Sequence, residues 1–123
     1  MNKIKIASIL DTGYEDEFFD GVVAHAVIDH LMVSDAKAAL SEMIRITKEG
    51  GLIWLSFDVP EEDDLTEPYF CPEEGTMQYT CNGREGMLFH PYDWDSIYDL
   101  TGKYEIVYKA DKGKRERVLI IRK

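Results

Sequence analysis

The stretch that decides the fold is VVAHAVIDHLMVSDAKAALSEMIRITKEGGLIWLSF, residues 22–57. Its opening run, VVAHAVI at 22–28, is apolar almost throughout and rich in valine. A continuous run of that length fits a parallel strand buried on both faces. Ser34 then offers a helix cap, and Asp35 places an acid in the first turn, where negative charge suits the helix dipole. Ala36, Ala39, Leu40, Met43, Ile44 and Thr47 recur at three- and four-residue spacing, so the helix has one apolar face, with Glu42 and Arg45 pointing away from it. Gly50 and Gly51 are expected to stop the helix, because glycine accepts the left-handed cap conformation without penalty. LIWLSF, 52–57, is a second apolar strand. Strand, helix, glycine stop and strand make a βαβ unit, which demands a parallel pair and a right-handed crossover.

Upstream, KIKIASIL at 3–10 alternates and then turns apolar, which reads as a strand. Residues 11–21 read as a loop with Asp11, Gly13 and a run of acids, anchored by Phe18 and Phe19, with Asp20 capping or bracing the next strand. Downstream, 58–75 is acidic and carries Pro60, Pro68 and Pro72, so a surface loop is expected. MQYT and GMLF flank an Asn82-Gly83 turn signal, which predicts a hairpin over 77–89. Pro91–Leu100 suits a short helix with Trp94, Ile97, Tyr98 and Leu100 on its apolar side. Tyr104–Lys109 and Glu116–Arg122 alternate around Lys112-Gly113-Lys114, which predicts a second hairpin.

At 123 residues the chain has the length of a single domain, 1–123. Apolar residues at 45% and charged residues at 31% are the balance of a globular protein. The net charge of −10 argues against a sequence-independent nucleic-acid binder, which needs a basic surface to displace counterions, and against retention on anionic lipid. The charge is uneven: net −15 over residues 1–100 and net +5 over 101–123. The basic tail reads as a solvated hairpin beside an acidic body. No run approaches the apolar length of a membrane helix, and the N-terminal apolar run is too short for a secretory signal. Cys71 and Cys81 make no disulfide framework, so free thiols in a reducing cytoplasm are expected.

The order of elements resembles the middle and end of a class I S-adenosylmethionine-dependent methyltransferase of the small-molecule, type 11 kind. Phe19-Asp20 stand where that family opens its fourth strand with an aromatic residue and an Asp. Arg45, Lys48, Gly50 and Gly51 stand where its helix leads into the fifth strand. The closing helix, strand, basic turn and strand resemble its antiparallel end, and the 77–89 hairpin resembles its substrate-side insertion. The resemblance implies an α/β fold: an incomplete Rossmann-like methyltransferase sheet, mostly parallel, with a C-terminal antiparallel hairpin. It covers the C-terminal two-thirds of the family's fold. The family's glycine-rich turn, which lets backbone approach the donor, has no counterpart, since neither GxGxxG nor GxGxG occurs. The chain is therefore expected to be truncated and inactive as given, or a non-catalytic scaffold.

The implied cofactor is S-adenosylmethionine, with Ser8 and Asp11 on its adenosine side, Ser8 standing where the family usually carries an Asp. Ala24 and His25 would border its methionine part, at the strand end where ligands collect in parallel sheets. Asp58, just past the second strand, lies on the substrate side and is placed to take a proton from an acceptor amine or hydroxyl. Tyr79 and Tyr92, with Trp94, are candidates to wall a small-molecule pocket, or else core aromatics. No catalytic residue is assigned, since no Ser-His-Asp or Cys-His motif is present. No metal site is expected: His25, Asp29 and His30 are irregularly spaced with no fourth ligand, and Cys71, Cys81 and His90 lack short zinc-type spacing.

In the family the third and fourth strands are separated by the first and second, a gap of roughly 14 Å at about 4.8 Å per strand. Without those two strands one edge of residues 22–28 lies open, and a bare apolar edge invites pairing. Residues 3–10 are expected to move in beside it, or two copies to pair as a homodimer, or another polypeptide to supply the missing part.

Overall fold

β1 (Phe19–His25) and β2 (Thr47–Asp58) run in parallel, with Val23 opposite Trp54 and His25 opposite Ser56, in a computed structural model that describes residues 5–123. Between them lie a 3-10 turn (Ile28–His30) and α1 (Val33–Ile46), the expected βαβ unit. β6 (Glu105–Lys112) and β7 (Glu116–Arg122) form the C-terminal hairpin, and β7 returns antiparallel against β2. The four-stranded order is β1-β2-β7-β6, so one parallel pairing is followed by two antiparallel ones. A second sheet of three strands, β3 (Tyr69–Glu73), β4 (Thr76–Tyr79) and β5 (Leu88–Phe89), is antiparallel throughout. α2 (Glu62–Thr66) precedes it, and α3 (Trp94–Thr101) leads into β6.

The core sits on one face of the larger sheet. Ala36, Ala39, Leu40 and Met43 of α1 and Ile97 of α3 pack on Ala24, Ile53, Leu55, Phe57, Leu119 and Ile121. Alternation does the sorting: Ile53, Leu55 and Phe57 are fully buried, while Leu52 before them and Trp54 among them face the other way. Each fully buried aliphatic side chain contributes about 1.5–3 kcal/mol.

Several boundaries differ from the expectation, each for a physical reason. β1 ends at His25 because Ala26 turns the chain at φ +52, its N–H donating to Ser56 Oγ at 2.9 Å. Ser34 lies inside α1 and does not cap it; the Val33 N–H donates instead to Glu73 Oε2, 2.8 Å away on β3. Gly50 and Gly51 do not cap the helix either. α1 stops at Ile46, where Thr47 extends and donates its Oγ1–H to the Met43 carbonyl. The glycines serve β2: Gly51 packs so closely on β1 that a Cβ would lie 2.7 Å from the Asp20 carbonyl oxygen.

Glu42 does not point away from the core but is buried. Residues 58–75 are not all loop, since they hold α2 and β3. Residues 5–10 form no strand; Ser8 and Asp11 make an isolated bridge, and residues 3 and 4 lie outside the described residues. Among the described residues nothing pairs with the outer edge of β1, so the first strand has not moved in beside it.

Candidate functional site at the C-terminal end of the parallel pair

The C-terminal ends of β1 and β2 meet the small sheet. His25 Nδ1 lies 2.8 Å from Ser56 Oγ and 3.8 Å from the Glu116 carboxylate, with its ring open to solvent. Ser56, buried, also accepts the Ala26 N–H, so one hydroxyl fixes both the strand end and the histidine. Asp29 is fully buried in the 3-10 turn. Its Oδ2 accepts the Asp58 N–H at 2.8 Å, and its carbonyl accepts the His90 N–H at 2.7 Å. Its Oδ1 has no hydrogen-bond partner among the described residues. Burial raises the Asp29 pKa, opposed by the Asp58 N–H.

His30 follows. Its Nδ1 lies 2.9 Å from the Leu88 carbonyl oxygen, its Nε2 3.4 Å from Asp58 Oδ2, and its ring stacks on Phe89 with centroids 5.4 Å apart. The carbonyl can only accept, so Nδ1 carries a proton. The small sheet is thereby pinned over the strand ends through β5. A third tie comes from Glu73, which accepts from Thr76 Oγ1 at 2.6 Å as well as from Val33. The Thr76 hydroxyl, the main cause, and the Val33 N–H together hold the Glu73 carboxyl below its usual range.

The candidate residues fall into separate places. Ala24 and His25 share the end of β1, and Asp58 closes β2 beside Asp29 and His30. Ala24 is a core residue, its side chain turned toward α1. Tyr92 is buried against Phe57, and it lines a cleft of about 240 Å³ with Val33, Lys37, His90, Ser96 and Asp99. Its hydroxyl lacks a hydrogen-bond partner among the described residues, and burial pushes its pKa up to about 12. Burial also lowers the His90 pKa.

Tyr79 lies elsewhere, in a small core with Met77 and Phe89, its hydroxyl donating to the Asp64 carbonyl. Ser8 and Asp11 are exposed. Thr12, next in the chain, is bound to Glu42 in the second half of α1, which runs back toward the opposite end of the sheet from His25. The fold therefore does not bring Ser8 and Asp11 to His25. A larger open groove, about 720 Å³, lies between α3 and β6 beside Tyr98, Tyr104 and Tyr108, and it contains none of the candidate residues.

Sequence reading missed Asp29, His30 and Asp58 as a group, because Asp58 comes from the next strand, 28 residues after His30. The signal available was topological: both strand ends of a parallel pair lie side by side.

Comparison with known proteins agrees with this layout. A methyltransferase-domain family model matches residues 2–55. A solved Pyrococcus horikoshii structure superposes with a TM-score of 0.76 at 17% identity, covering 94% of this chain and 57% of that one. An S-adenosylmethionine-dependent methyltransferase from Methanosarcina mazei superposes with a TM-score of 0.74 at 18% identity, covering 97% of this chain and 66% of that one. The fold is that of a class I S-adenosylmethionine-dependent methyltransferase. In sequence, a tRNA (carboxymethyluridine(34)-5-O)-methyltransferase of Arabidopsis thaliana is 29% identical over 65 residues, 52% of this chain and 16% of that protein. The chain thus spans less than two-thirds of these methyltransferase-fold relatives. The strand that opens with Phe19-Asp20 and the strand that carries Gly50-Gly51 are adjacent and parallel, as the class I resemblance implies.

No helix of the described residues is long and apolar enough to cross a membrane. Cys71 and Cys81 are free.

Proposed function

We propose that this chain forms the acceptor side of an S-adenosylmethionine-dependent methyltransferase acting on a small molecule, with the donor's cradle supplied by polypeptide outside its own sheet. The observation that carries this reading is the small sheet tied across the ends of β1 and β2 by the His30 to Leu88 and His90 to Asp29 hydrogen bonds. That arrangement sets the small sheet beside the end of the sheet where α/β folds take ligands. In such an enzyme the sulfonium supplies the reactive methyl group, and the protein supplies alignment. His25 and Asp58 stand at those strand ends; in this reading Asp58 receives an acceptor proton, and Tyr92 lines the cleft that also holds His90. The net charge of −10 weighs against a polyanionic acceptor docking on this chain, although the Arabidopsis relative acts on tRNA. Free cysteines suit a reducing, cytoplasmic setting.

A second reading is supported by the missing glycine-rich turn: a non-catalytic scaffold of methyltransferase fold that dimerises through the open edge of β1. Calorimetric titration with S-adenosylmethionine separates the two. Micromolar binding, by the chain alone or with a complementing partner, is the result expected for the enzyme. No heat at millimolar ligand in either case leaves only the scaffold.

A further inference from the structure

We propose that His30 Nε2, Asp58 Oδ2 and the Asp29 carboxylate form a binding site for a divalent first-row transition ion. One ligand atom from each of the three residues lies within 4.8 Å of the others. Three features beyond proximity point to a cation.

The first is the histidine tautomer. With its Nδ1–H given to the Leu88 carbonyl at 2.9 Å, a neutral His30 turns the Nε2 lone pair on the Asp58 carboxylate 3.4 Å away. Two acceptors then face each other, a contact that repels unless a positive charge lies between them. Backbone carbonyls fix metal-binding imidazoles in this way, holding one nitrogen protonated and the other free.

The second is the spacing. Two ligand atoms about 2.1 Å from a tetrahedral ion are about 3.4 Å apart, which is the His30–Asp58 separation.

The third is Asp29. It is fully buried, and one oxygen of its carboxylate is unpaired among the described residues. A buried carboxylate with a bare oxygen is costly unless charge or hydrogen bonds meet it. A cation at the cluster would offset that buried negative charge and would join the ends of β1 and β2 to the sheet carrying Leu88. Imidazole with carboxylate oxygens suits zinc and manganese better than calcium, which prefers an all-oxygen shell. His30 and Asp58 lie at the rim, partly open to solvent, so coordination positions remain for water or an acceptor hydroxyl.

The test uses the whole chain with Cys71→Ser and Cys81→Ser, which removes competing thiols, after treatment with chelator. Zinc chloride and manganese chloride are titrated by calorimetry, and Tm is followed. One ion per chain with micromolar affinity and a Tm rise of several degrees is expected. Asp58→Asn, at the rim, should weaken binding at least tenfold while its metal-free Tm stays near that of the parent; His30→Gln should weaken binding as much, with a lower metal-free Tm because the tie to Leu88 and the stacking on Phe89 are also disturbed. Manganese should broaden the His30 ring resonances selectively. Absence of binding at millimolar ion, or affinity unchanged in both variants, overturns the site. So does a His30 ring that is doubly protonated at pH 7 and untouched by manganese, which would mean an imidazolium–carboxylate pair.

Discussion

Glu42 Oε2 accepts both the backbone N–H and the Oγ1–H of Thr12, each at 2.7 Å, and so ties the segment before β1 to the helix that follows it. Arg45 Nε and Nη2 complete the cluster by donating to the same carboxylate at 2.7 and 2.8 Å. Arg45 chiefly, then Thr12, holds the Glu42 pKa at about 2, against an ordinary 4.5. A carboxyl depressed on folding stabilises above its unfolded pKa, and that stability is lost as pH falls through the folded value. The contribution is therefore present at pH 7 and fades between about 4.5 and about 2. Glu42→Gln should cost about 1–3 kcal/mol at pH 7 and flatten the pH dependence across that window. Urea denaturation of both proteins at pH 7 and pH 3 checks this; equal losses of stability on acidification would contradict it.

Glu73 caps α1 from 40 residues away, accepting the Val33 N–H while the helix's own flanking residue Met32 offers no side-chain cap. Glu73→Ala leaves that N–H and the Thr76 hydroxyl without the carboxylate. A loss of about 0.5–2 kcal/mol is expected from the cap alone. Glu73→Gln keeps an acceptor oxygen and should recover most of it. Chemical denaturation of the three proteins at pH 7 reads the difference.

The βαβ unit was legible because its signals are short-range: periodicity over Ala36–Met43 and continuous apolar runs on either side. The C-terminal hairpin was legible for the same reason. What escaped depends on distant partners. Glu42 looks like a surface acid by helical spacing and is buried only because Thr12 and Arg45 satisfy it. Ser34 has the chemistry of a cap, but Glu73 takes that place. β3 is an exposed strand carrying Cys71 and Pro72, so neither alternation nor burial marks it. Residues 5–10 show the opposite failure: an alternating pattern without a strand beside it to pair with. At the candidate site, His25 was legible as a strand-end residue, while the nearness of Asp29 and His30 to Asp58 required the parallel register.

Gly51 and Gly83 separate two uses of glycine. A Cβ on Gly51 would lie 2.6 Å from Thr47 Cγ2 and 2.7 Å from the Asp20 carbonyl oxygen, so backbone must move. Gly83 has open space, and its constraint is φ +82. Gly51→Ala should cost at least the 1–3 kcal/mol typical of overpacking and loosen the β1–β2 pairing. Gly83→Ala should cost only the left-handed backbone strain, about 1–2 kcal/mol. Hydrogen exchange at Val22–Ala24 distinguishes them: faster in Gly51→Ala, unchanged in Gly83→Ala.

The face of the large sheet opposite the core carries a row of four registered residues, Val23, Trp54, Ile120 and Tyr108. Val23 is 71% exposed and stands on β1, the terminal strand of the sheet. An apolar edge strand with free N–H and C=O groups templates pairing with another chain. Light scattering in dilute buffer should therefore find a dimer. Val23→Lys places a charge on that edge while removing little buried surface, so the folded chain should keep its stability within about 0.5 kcal/mol. It should shift toward monomer, with the dimer's dissociation constant rising at least tenfold. A wild-type chain that stays monomeric at high concentration would remove edge pairing as the answer to the open strand.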